Sequence, residues 1–285
     1  MFRANGVRRA AYGLRVRRLV VLLLASLLTL VTVPAGGAAH AVVEPLPSGT
    51  DVDYQLGGEA PVPAHVGIVA RDRTARALPG KYNICYVNGF QTQPDQKRFW
   101  RRHWNLVLKK DGRPVVDENW GEWLLDIGTP AKRQKLARIV GRWITGCRRD
   151  GFQAVELDNL DSWTRSAGAL DADDALALAT LLVDHAHGRG LAVAQKNATD
   201  IGSRGRDEAG FDFAIAEECD RWSECADHTA VYGPHVLDVE YADDLLDTAE
   251  GACARIRALD PAPRAIVRDR DLVPASEDGY AFAAC

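Results

Sequence analysis

The sequence predicts an α/β fold, a parallel (β/α)8 TIM barrel formed by a single domain. Short apolar stretches alternate with helical patterns along most of the chain, as in barrels built from strand-helix units. Residues 42–285 hold no long linker, repeat or low-complexity block. Polar side chains gather where the predicted strands end, which is the face that carries the active site in such barrels. A doubly wound open sheet is the alternative arrangement of the same elements.

Residues 1–41 are predicted to be a signal peptide and not part of the fold. A cluster of arginines from Arg8 to Arg18 precedes an apolar run of 15 residues at positions 19–33, and Ala39-His40-Ala41 is a small-residue cleavage site. The run is shorter than a membrane span of about 20 residues. We therefore expect a secreted protein, cleaved near Ala41 and not stably inserted in a membrane, with an uncleaved N-terminal anchor as the alternative.

The mature chain is strongly acidic. The first 41 residues hold six Arg and no acidic residue, which leaves 29 basic and 39 acidic residues and a net charge of −10. This charge argues against nucleic acid and anionic membranes as partners and favours a cationic partner. Residues 42–58 are rich in Pro and Gly and are predicted to be an extended lead-in to a barrel domain of residues 59–285.

The six cysteines predict three disulfides, because an even number in an exported protein is typical of a disulfide framework. Fifteen pairings are possible. Cys219 and Cys225 are close in sequence and form the first expected pair. A bridge between Cys253 and Cys285 would hold the C-terminus, leaving Cys85 with Cys147. A zinc site is the alternative, but neither a Cys-x-x-Cys pair nor a matching His spacing supports it.

The alternation of strands and helices can be placed along the chain. The predicted strands are residues 65–70, 82–87, 123–127, 152–158, 191–196, 211–216, 236–241 and 265–267. Helical patterns cover residues 95–104, 130–147, 172–189 and 243–259. The helix at 130 begins with an N-cap, Thr129, followed by Pro130 at its first position, and Asp171 and Gly190 bracket the next helix.

The ends of these strands carry a concentration of polar side chains, whereas the strand starts are much less acidic. In chain order the strand-end residues are Tyr86, Asn88, Asp126, Glu156, Asp158, Asn159, Asp161, Lys196, Asn197, Glu217, Glu218, Glu240, Tyr241, Asp269 and Asp271. The stretch GFQAVELDNLDSW at 151–163 is the densest of these clusters. Each residue alone fits a turn or cap, but their shared position at one end of successive strands indicates a site.

Several carboxyl groups at one face fit glycoside hydrolysis, which needs two of them on either side of the scissile bond. Crowding raises the pKa of one acid, because like charges disfavour ionisation. The aromatic residues near these strand ends that could stack on sugar rings are Trp120, Trp123, Trp163 and Trp222. This mechanism requires no cofactor.

Two other chemistries are weaker interpretations of the same residues. Asp158, Asp161 and Glu156 could hold a divalent cation through oxygen atoms, but no His joins them and no EF-hand spacing is present. We therefore predict no metal site. Nucleophilic serine chemistry lacks the G-x-S-x-G motif.

Five motifs in this chain resemble glycoside hydrolase family 114, the endo-α-1,4-polygalactosaminidases and their relatives. They are GFQAVELDNLDSW at 151–163, QKNA at 195–198, FDFAIAEEC at 211–219 with Cys225, VEY at 239–241 and RDRDL at 268–272. The resemblance extends over residues 54–285 and implies a (β/α)8 barrel. It also implies that Asp158 and Glu217 are the catalytic carboxylates.

The resemblance implies a sugar site lined by further acids and amides, matching Asn159, Asp161, Lys196, Asn197 and Glu240. Strand-end position adds five more substrate-binding candidates: Tyr86, Asp126, Glu156, Glu218 and Asp269. Strand parity alone does not choose between Glu217 and Glu218, because apolar residues precede both on their own faces. Glu218 is therefore the reserve candidate for the second carboxylate.

The hypothesis from the sequence is a secreted, monomeric glycosidase that cleaves α-1,4-galactosaminyl linkages in a cationic amino-sugar polysaccharide. The competing hypothesis is a barrel that has lost catalysis and only binds an extracellular glycan; the presence of both Asp158 and Glu217 argues against it. A third hypothesis, an esterase or deacetylase acting on the same polymer, would need a metal cluster that the sequence does not supply.

Overall fold

Eight parallel strands form a sheet that curls into a nearly closed barrel in the computed structural model, which describes residues 42–285. In sheet order they are β1 (Asp51–Gln55), β2 (Val66–Asp72), β3 (Tyr82–Asn88), β4 (Ala154–Asp158), β5 (Ala192–Lys196), β6 (Phe213–Glu217), β7 (Val236–Tyr241) and β8 (Arg264–Arg268), and β9 (Phe282–Ala284) is antiparallel to β8. The predicted fold class is confirmed. The predicted signal peptide lies outside the described residues.

Helices cover the outside of the sheet. They are α1 (Lys97–Arg101), α2 (Pro130–Arg149), α3 (Ala172–His187), α4 (Cys219–Trp222), α5 (Cys225–Tyr232) and α6 (Ala249–Arg257). Short 3-10 turns lie at Pro94–Gln96, Trp104–Leu106, Ser162–Arg165 and Thr199–Ile201, and a π-helical turn at Gly205–Ala209. The connections at residues 56–65 and 73–81 contain no helix. The barrel is thus covered mainly after β3.

The N-terminal ends of the two longest helices follow from local chemistry. The Thr129 hydroxyl accepts a hydrogen bond from the Lys132 backbone N–H, and Pro130 occupies the first helical position. The Asp171 carboxylate accepts in the same way from the Asp174 backbone N–H at 2.9 Å. Both starts were predicted from the sequence and are confirmed.

The hydrophobic core has two layers, separated by the sheet. Alternate strand residues, among them Tyr54, Ile68, Ile84, Ile215 and Val239, fill the barrel interior. The residues between them face outward and pack beneath α2 and α3. Because side chains alternate along a strand, the residues at the strand ends also divide into an inward and an outward set.

Side chains join the two ends of the curled sheet. Within residues 42–285 the backbone ladder does not continue from β8 to β1. Instead, the Arg268 guanidinium on β8 donates to Asp53 Oδ1 at 2.6 Å and to the Tyr54 carbonyl on β1. The Arg268 and Asp53 side chains are both buried. A buried ion pair therefore bridges the point at which the barrel would otherwise be open.

Two predicted segments are wrong. The first barrel strand, β1, lies inside the segment 42–58 that was expected to be a lead-in, so the barrel begins before residue 59. Polar residues at alternate positions conceal this strand in the sequence, while Val52 and Tyr54 point into the core.

Residues 123–127 do not form a barrel strand. Glu122–Trp123 pairs with Val116–Asp117 in a small hairpin, next to a second one between Lys109–Lys110 and Arg113–Pro114. Leu124 and the apolar residues after it pack in the outer core, which explains their strand-like pattern.

The three predicted disulfides are present. Cys85–Cys147 ties β3 to α2, Cys219–Cys225 links α4 to α5, and Cys253–Cys285 fastens the last described residue to α6. Over residues 42–285, no helix has the length and apolar character needed to cross a membrane.

Candidate active site

One buried lysine organises the carboxyl ends of β4, β5 and β6. The Lys196 ammonium, at the end of β5, lies 2.9 Å from Glu156 Oε1 and 3.2 Å from Asp158 Oδ1, both on β4. It also lies 3.2 Å from Glu217 Oε2 on β6. Only 3% of the lysine side chain is exposed. A single positive charge therefore holds three carboxyl groups together at one end of the barrel.

Strand geometry decides between Glu217 and Glu218. Strand β6 pairs with β7 in even register from Ala214 to Glu217, with no bulge between them. Phe213 and Ile215 point into the barrel, and Glu217 continues on their side. Glu218 follows the strand with φ of 59° and pairs with Arg270 at 2.9 Å. The inward carboxyl is therefore Glu217.

Left-handed backbone conformations follow three neighbouring strands. Asn159, Asn197 and Glu218 come directly after β4, β5 and β6, with φ of 62°, 45° and 59°. Asn tolerates this conformation better than most residues, whereas a Glu there is strained. Such strain often occurs at functional sites. The chain therefore turns away sharply from each strand and leaves the strand-end side chains exposed to a common cavity.

Three tyrosines fix the orientation of the three carboxyl groups. Tyr86 Oη donates to Asp158 Oδ2 at 2.6 Å, and Tyr241 Oη donates to Glu217 Oε1 at 2.6 Å. Tyr54 Oη donates to Glu156 Oε1 at 2.5 Å. Tyr54 was missed in the sequence because its strand was taken for a lead-in. Hydrogen bonds to charged groups are shorter and stronger than neutral ones.

The surroundings separate the protonation states of the two carboxyl groups on β4. Burial alone would raise the pKa of Asp158, but the Lys196 ammonium and the hydrogen bonds from Tyr86 and Lys196 outweigh it and hold the pKa below its usual range. Burial raises the pKa of Glu156 to about 7 despite the same ammonium. Asp158 is therefore ionised at neutral pH, and Glu156 retains a proton into that range.

Asp158 and Glu217 are close enough to act on one bond. Asp158 Oδ1 and Glu217 Oε2 each lie 3.2 Å from the same Lys196 nitrogen, so the distance between these two oxygens is at most about 6.4 Å. Carboxyl groups in retaining glycosidases are about 5–5.5 Å apart, and those in inverting enzymes about 6.5–9.5 Å. The limit on this oxygen pair is compatible with the separation found in retaining enzymes.

A cleft passes over this cluster and joins two cavities. The smaller, of about 370 Å³, contains Asp158 and Lys196, and the larger, of about 610 Å³, extends past Glu218 to Trp222. Glu217 and Trp120 line both cavities. Trp120 and Trp222 are 57% and 58% exposed, so their rings are available as flat apolar surfaces. The cleft has room for several consecutive sugar units.

Most of the predicted site residues meet in this cleft. Those that line the smaller cavity are Tyr86, Asp158, Asn159, Asp161, Lys196, Asn197 and Glu217. Glu218 lines the larger cavity. Glu156 is fully buried beneath Lys196, where it supports the lysine without reaching the cavity.

Besides Glu156, three other predicted contact residues lie outside both cavity linings. Asp126 pairs with Lys132. Glu240 is buried on the outward side of β7 and accepts a hydrogen bond from the Asp220 backbone N–H at 2.7 Å. Asp269 accepts from the Val273 backbone N–H at 2.8 Å. These three carboxylates make local hydrogen bonds and ion pairs. They were predicted from strand-end position, which does not specify which side of the sheet a residue faces.

Two acidic residues of the cleft come from the hairpin after β3 and were missed. Asp117 and Glu122 line the smaller cavity from Val116–Asp117 and Glu122–Trp123. The Arg165 guanidinium lies 3.0 Å from Asp117 Oδ2 and 2.8 Å from Asp161 Oδ1. No sequence pattern identified them, because the hairpin reaches the site only through the tertiary fold.

A metal-like cluster occurs away from the cleft, where ligand atoms of Cys219, Cys225 and Asp238 lie close together. Both sulfurs belong to one disulfide. These cysteines therefore have no thiolate to offer a metal ion.

Comparison with known proteins agrees with this architecture. Ega3 of Aspergillus fumigatus, solved in complex with galactosamine, is similar with a TM-score of 0.66 and 21% identity, over 87% of this chain and 100% of that one. The glycoside hydrolase domain of PelA from Pseudomonas aeruginosa gives 0.56 and 16%, over 80% and 96%. No curated protein matches significantly in sequence. The sequence profile of glycoside-hydrolase family GH114 matches residues 33–285, so the chain belongs to this family and is a glycoside hydrolase.

Proposed function

We propose that this hydrolase is secreted and cleaves α-1,4-galactosaminyl linkages within a cationic amino-sugar polysaccharide, with Asp158 as nucleophile and Glu217 as acid and base. The observation that carries the proposal is the pair of carboxyl groups held by Lys196 on the floor of the cleft. A retaining glycosidase needs one ionised carboxylate and one proton donor at this separation.

The two roles follow from the surroundings of each group. Asp158 accepts hydrogen bonds from Tyr86 and Lys196 and has a lowered pKa, as an attacking carboxylate requires. Glu217 is more exposed, with 26% of its side chain accessible against 15% for Asp158, and it lines both cavities. Its position at their junction allows it to protonate the leaving sugar in one cavity while Asp158 attacks the sugar in the other.

Three observations support an amino-sugar polymer as substrate. The structurally similar Ega3 was solved with galactosamine. The net charge of −10 on residues 42–285 complements a cationic polymer and increases its rate of association. The exposed rings of Trp120 and Trp222 offer stacking surfaces along an open cleft, which suits binding within a long chain.

The three disulfides support secretion, since such bonds persist in oxidising compartments.

Release of reducing ends from partially deacetylated α-1,4 galactosaminogalactan tests the proposal. We expect activity from residues 42–285, a loss of at least about 10²–10⁴-fold in Asp158→Asn and Glu217→Gln, and unchanged thermal unfolding of both variants. Activity that survives both changes would overturn the assignment of the carboxylates. Binding of the polymer without release of reducing ends from it or related amino-sugar polymers would favour the alternative function, a barrel that only binds the glycan.

A further inference from the structure

The carboxyl group of Glu122 also faces the smaller cavity, beside the proposed catalytic pair of Asp158 and Glu217. Its side chain enters from the hairpin after β3, and the residue is 7% exposed. Glu122 Oε2 accepts hydrogen bonds from Asn88 Nδ2 at 2.9 Å and from Asn159 Nδ2 at 3.2 Å. The same Asn159 amide donates to Asp158 Oδ2 at 3.1 Å. One amide group therefore bridges Glu122 and the proposed nucleophile.

Glu122 differs from its neighbours in having no cationic partner. Asp117 and Asp161 share the Arg165 guanidinium, and Asp158 and Glu217 share the Lys196 ammonium. Glu122 receives only neutral amide donors, and within residues 42–285 no Lys, Arg or His nitrogen lies within 4.0 Å of it. A buried carboxylate without a counter-ion is costly. Glu122 can avoid this cost by holding a proton, or the ionised form can take a cation from outside the chain.

We propose that Glu122 binds the protonated amino group of a sugar seated against Asn159, and so selects deacetylated over N-acetylated units next to the scissile bond. This inference rests on the proposed function and names the group that sets the acetylation preference of that site. An ammonium group supplies the missing charge and a hydrogen-bond donor. An acetamido group supplies a neutral donor only and adds bulk beside a buried carboxylate.

The electrostatics of the position agree with this role. Burial, with a smaller contribution from the nearby Asp158 and Asp117 carboxylates, raises the pKa of Glu122 to about 7, although the hydrogen bonds from Asn88 and Asn159 act to lower it. Glu122 is therefore largely protonated below this pH and ionised above it. Since an ammonium group binds the ionised form, the preference for amino sugars should strengthen as the pH rises through about 7, until the sugar amine itself loses its proton.

The test compares two oligosaccharides with the same α-1,4 backbone, one fully deacetylated and one fully N-acetylated. We expect Glu122→Gln to lower the ratio of kcat/KM for the amine substrate to that for the acetylated one by ~10-fold or more, because a hydrogen bond to a charged group contributes about 1.5–3 kcal/mol. The rise of this ratio with pH should also disappear. Glu118→Gln is the control, because this substitution removes the same charge at an exposed position of the same hairpin.

Three results would overturn the inference: an unchanged ratio, an equal loss of kcat/KM on both substrates, or the same change in the control. A second measurement does not depend on turnover. Calorimetry should show that galactosamine binds more weakly to Glu122→Gln than to the wild type, with N-acetylgalactosamine little affected. If the wild type cleaves neither oligosaccharide but this binding difference persists, the proposed function fails and the inference about Glu122 stands. If the two sugars bind both proteins alike, the inference fails whatever the activity.

Discussion

The Lys196 ammonium lies 2.9 Å from Glu156 Oε1, where the Glu156 side chain is fully buried and only 3% of the Lys196 side chain is exposed. Asp158 and Glu217 share the same ammonium, so one positive charge faces three carboxyl groups. The negative charge exceeds the positive, and a proton on Glu156 relieves the excess. The cluster thus combines the buried Lys196–Glu156 ion pair with the two carboxyl groups of Asp158 and Glu217, which face the cleft.

Replacing Lys196 with methionine should lower stability strongly. The substitution retains an apolar chain of similar length but leaves the three carboxyl groups without a cation. Removing one partner of a buried ion pair costs about 3–5 kcal/mol, and we expect a decrease of this size in the free energy of unfolding at pH 7. Urea denaturation measures it, with Lys135→Met on the exposed face of α2 as the control. A decrease below about 1 kcal/mol would show that the ammonium does not hold the cluster.

Replacing Glu156 with glutamine should change stability in a pH-dependent way. The folded protein holds the Glu156 proton up to about pH 7, because burial raises the pKa of this group to about 7, whereas an unperturbed Glu has a pKa of 4.5. Between these two pKa values the folded state binds more protons than the unfolded state. The contribution of Glu156 to the free energy of unfolding of the wild type therefore falls as the pH rises. Glu156→Gln has no titratable proton at this position, so its free energy of unfolding should not show this decrease.

The expected result is a growing advantage of Glu156→Gln over the wild type from about pH 4.5 to about pH 7. It should reach up to ~3 kcal/mol, since one pKa unit corresponds to about 1.4 kcal/mol. Urea unfolding at a series of pH values measures the difference. Glu118→Gln, at an exposed position, should show no such trend. A difference that stays constant with pH would mean that Glu156 titrates normally in the folded state.

The products should retain the anomeric configuration of the substrate. The upper limit of about 6.4 Å between Asp158 Oδ1 and Glu217 Oε2 is compatible with the separation of about 5–5.5 Å found in retaining enzymes, and the proposed attack by Asp158 requires retention. Proton NMR of an early digest should therefore show the α anomer before mutarotation produces the β anomer. Initial formation of the β anomer would mean that a water molecule, and not Asp158, attacks the sugar.

The sequence was sufficient to predict much of the barrel and the centre of its site. Apolar runs that end in polar residues marked β4, β5 and β6, and these strands carry Asp158, Lys196 and Glu217. Turn-forming Asn residues after two of these strands reinforced the pattern. Strand parity alone could not separate Glu217 from Glu218, because alanines on one face and larger apolar residues on the other are both compatible with burial.

The remaining errors have different causes, and tertiary packing explains only part of them. Strand β1 alternates polar residues with Val52 and Tyr54, and an isolated pattern of this kind is easily mistaken for a connecting segment. Glu122 contacts Asn88 and Asn159 only because the hairpin folds back over the barrel. Glu240 alternates with the inward Val239 and Tyr241, so its outward position could have been anticipated from strand periodicity.

A covalent intermediate on Asp158 is the most direct test of the central claim, that Asp158 attacks the sugar while Glu217 acts as acid and base. The Glu217→Gln variant would be incubated with the α-fluoride of galactosamine, whose leaving group needs no proton. Water attack on the intermediate is then slow because the base is missing. Mass spectrometry of a proteolytic digest should find one galactosaminyl residue on the peptide that contains Asp158, and none when Asp158→Asn is added. Fluoride release without an adduct, or an adduct on another carboxyl group, would contradict the account.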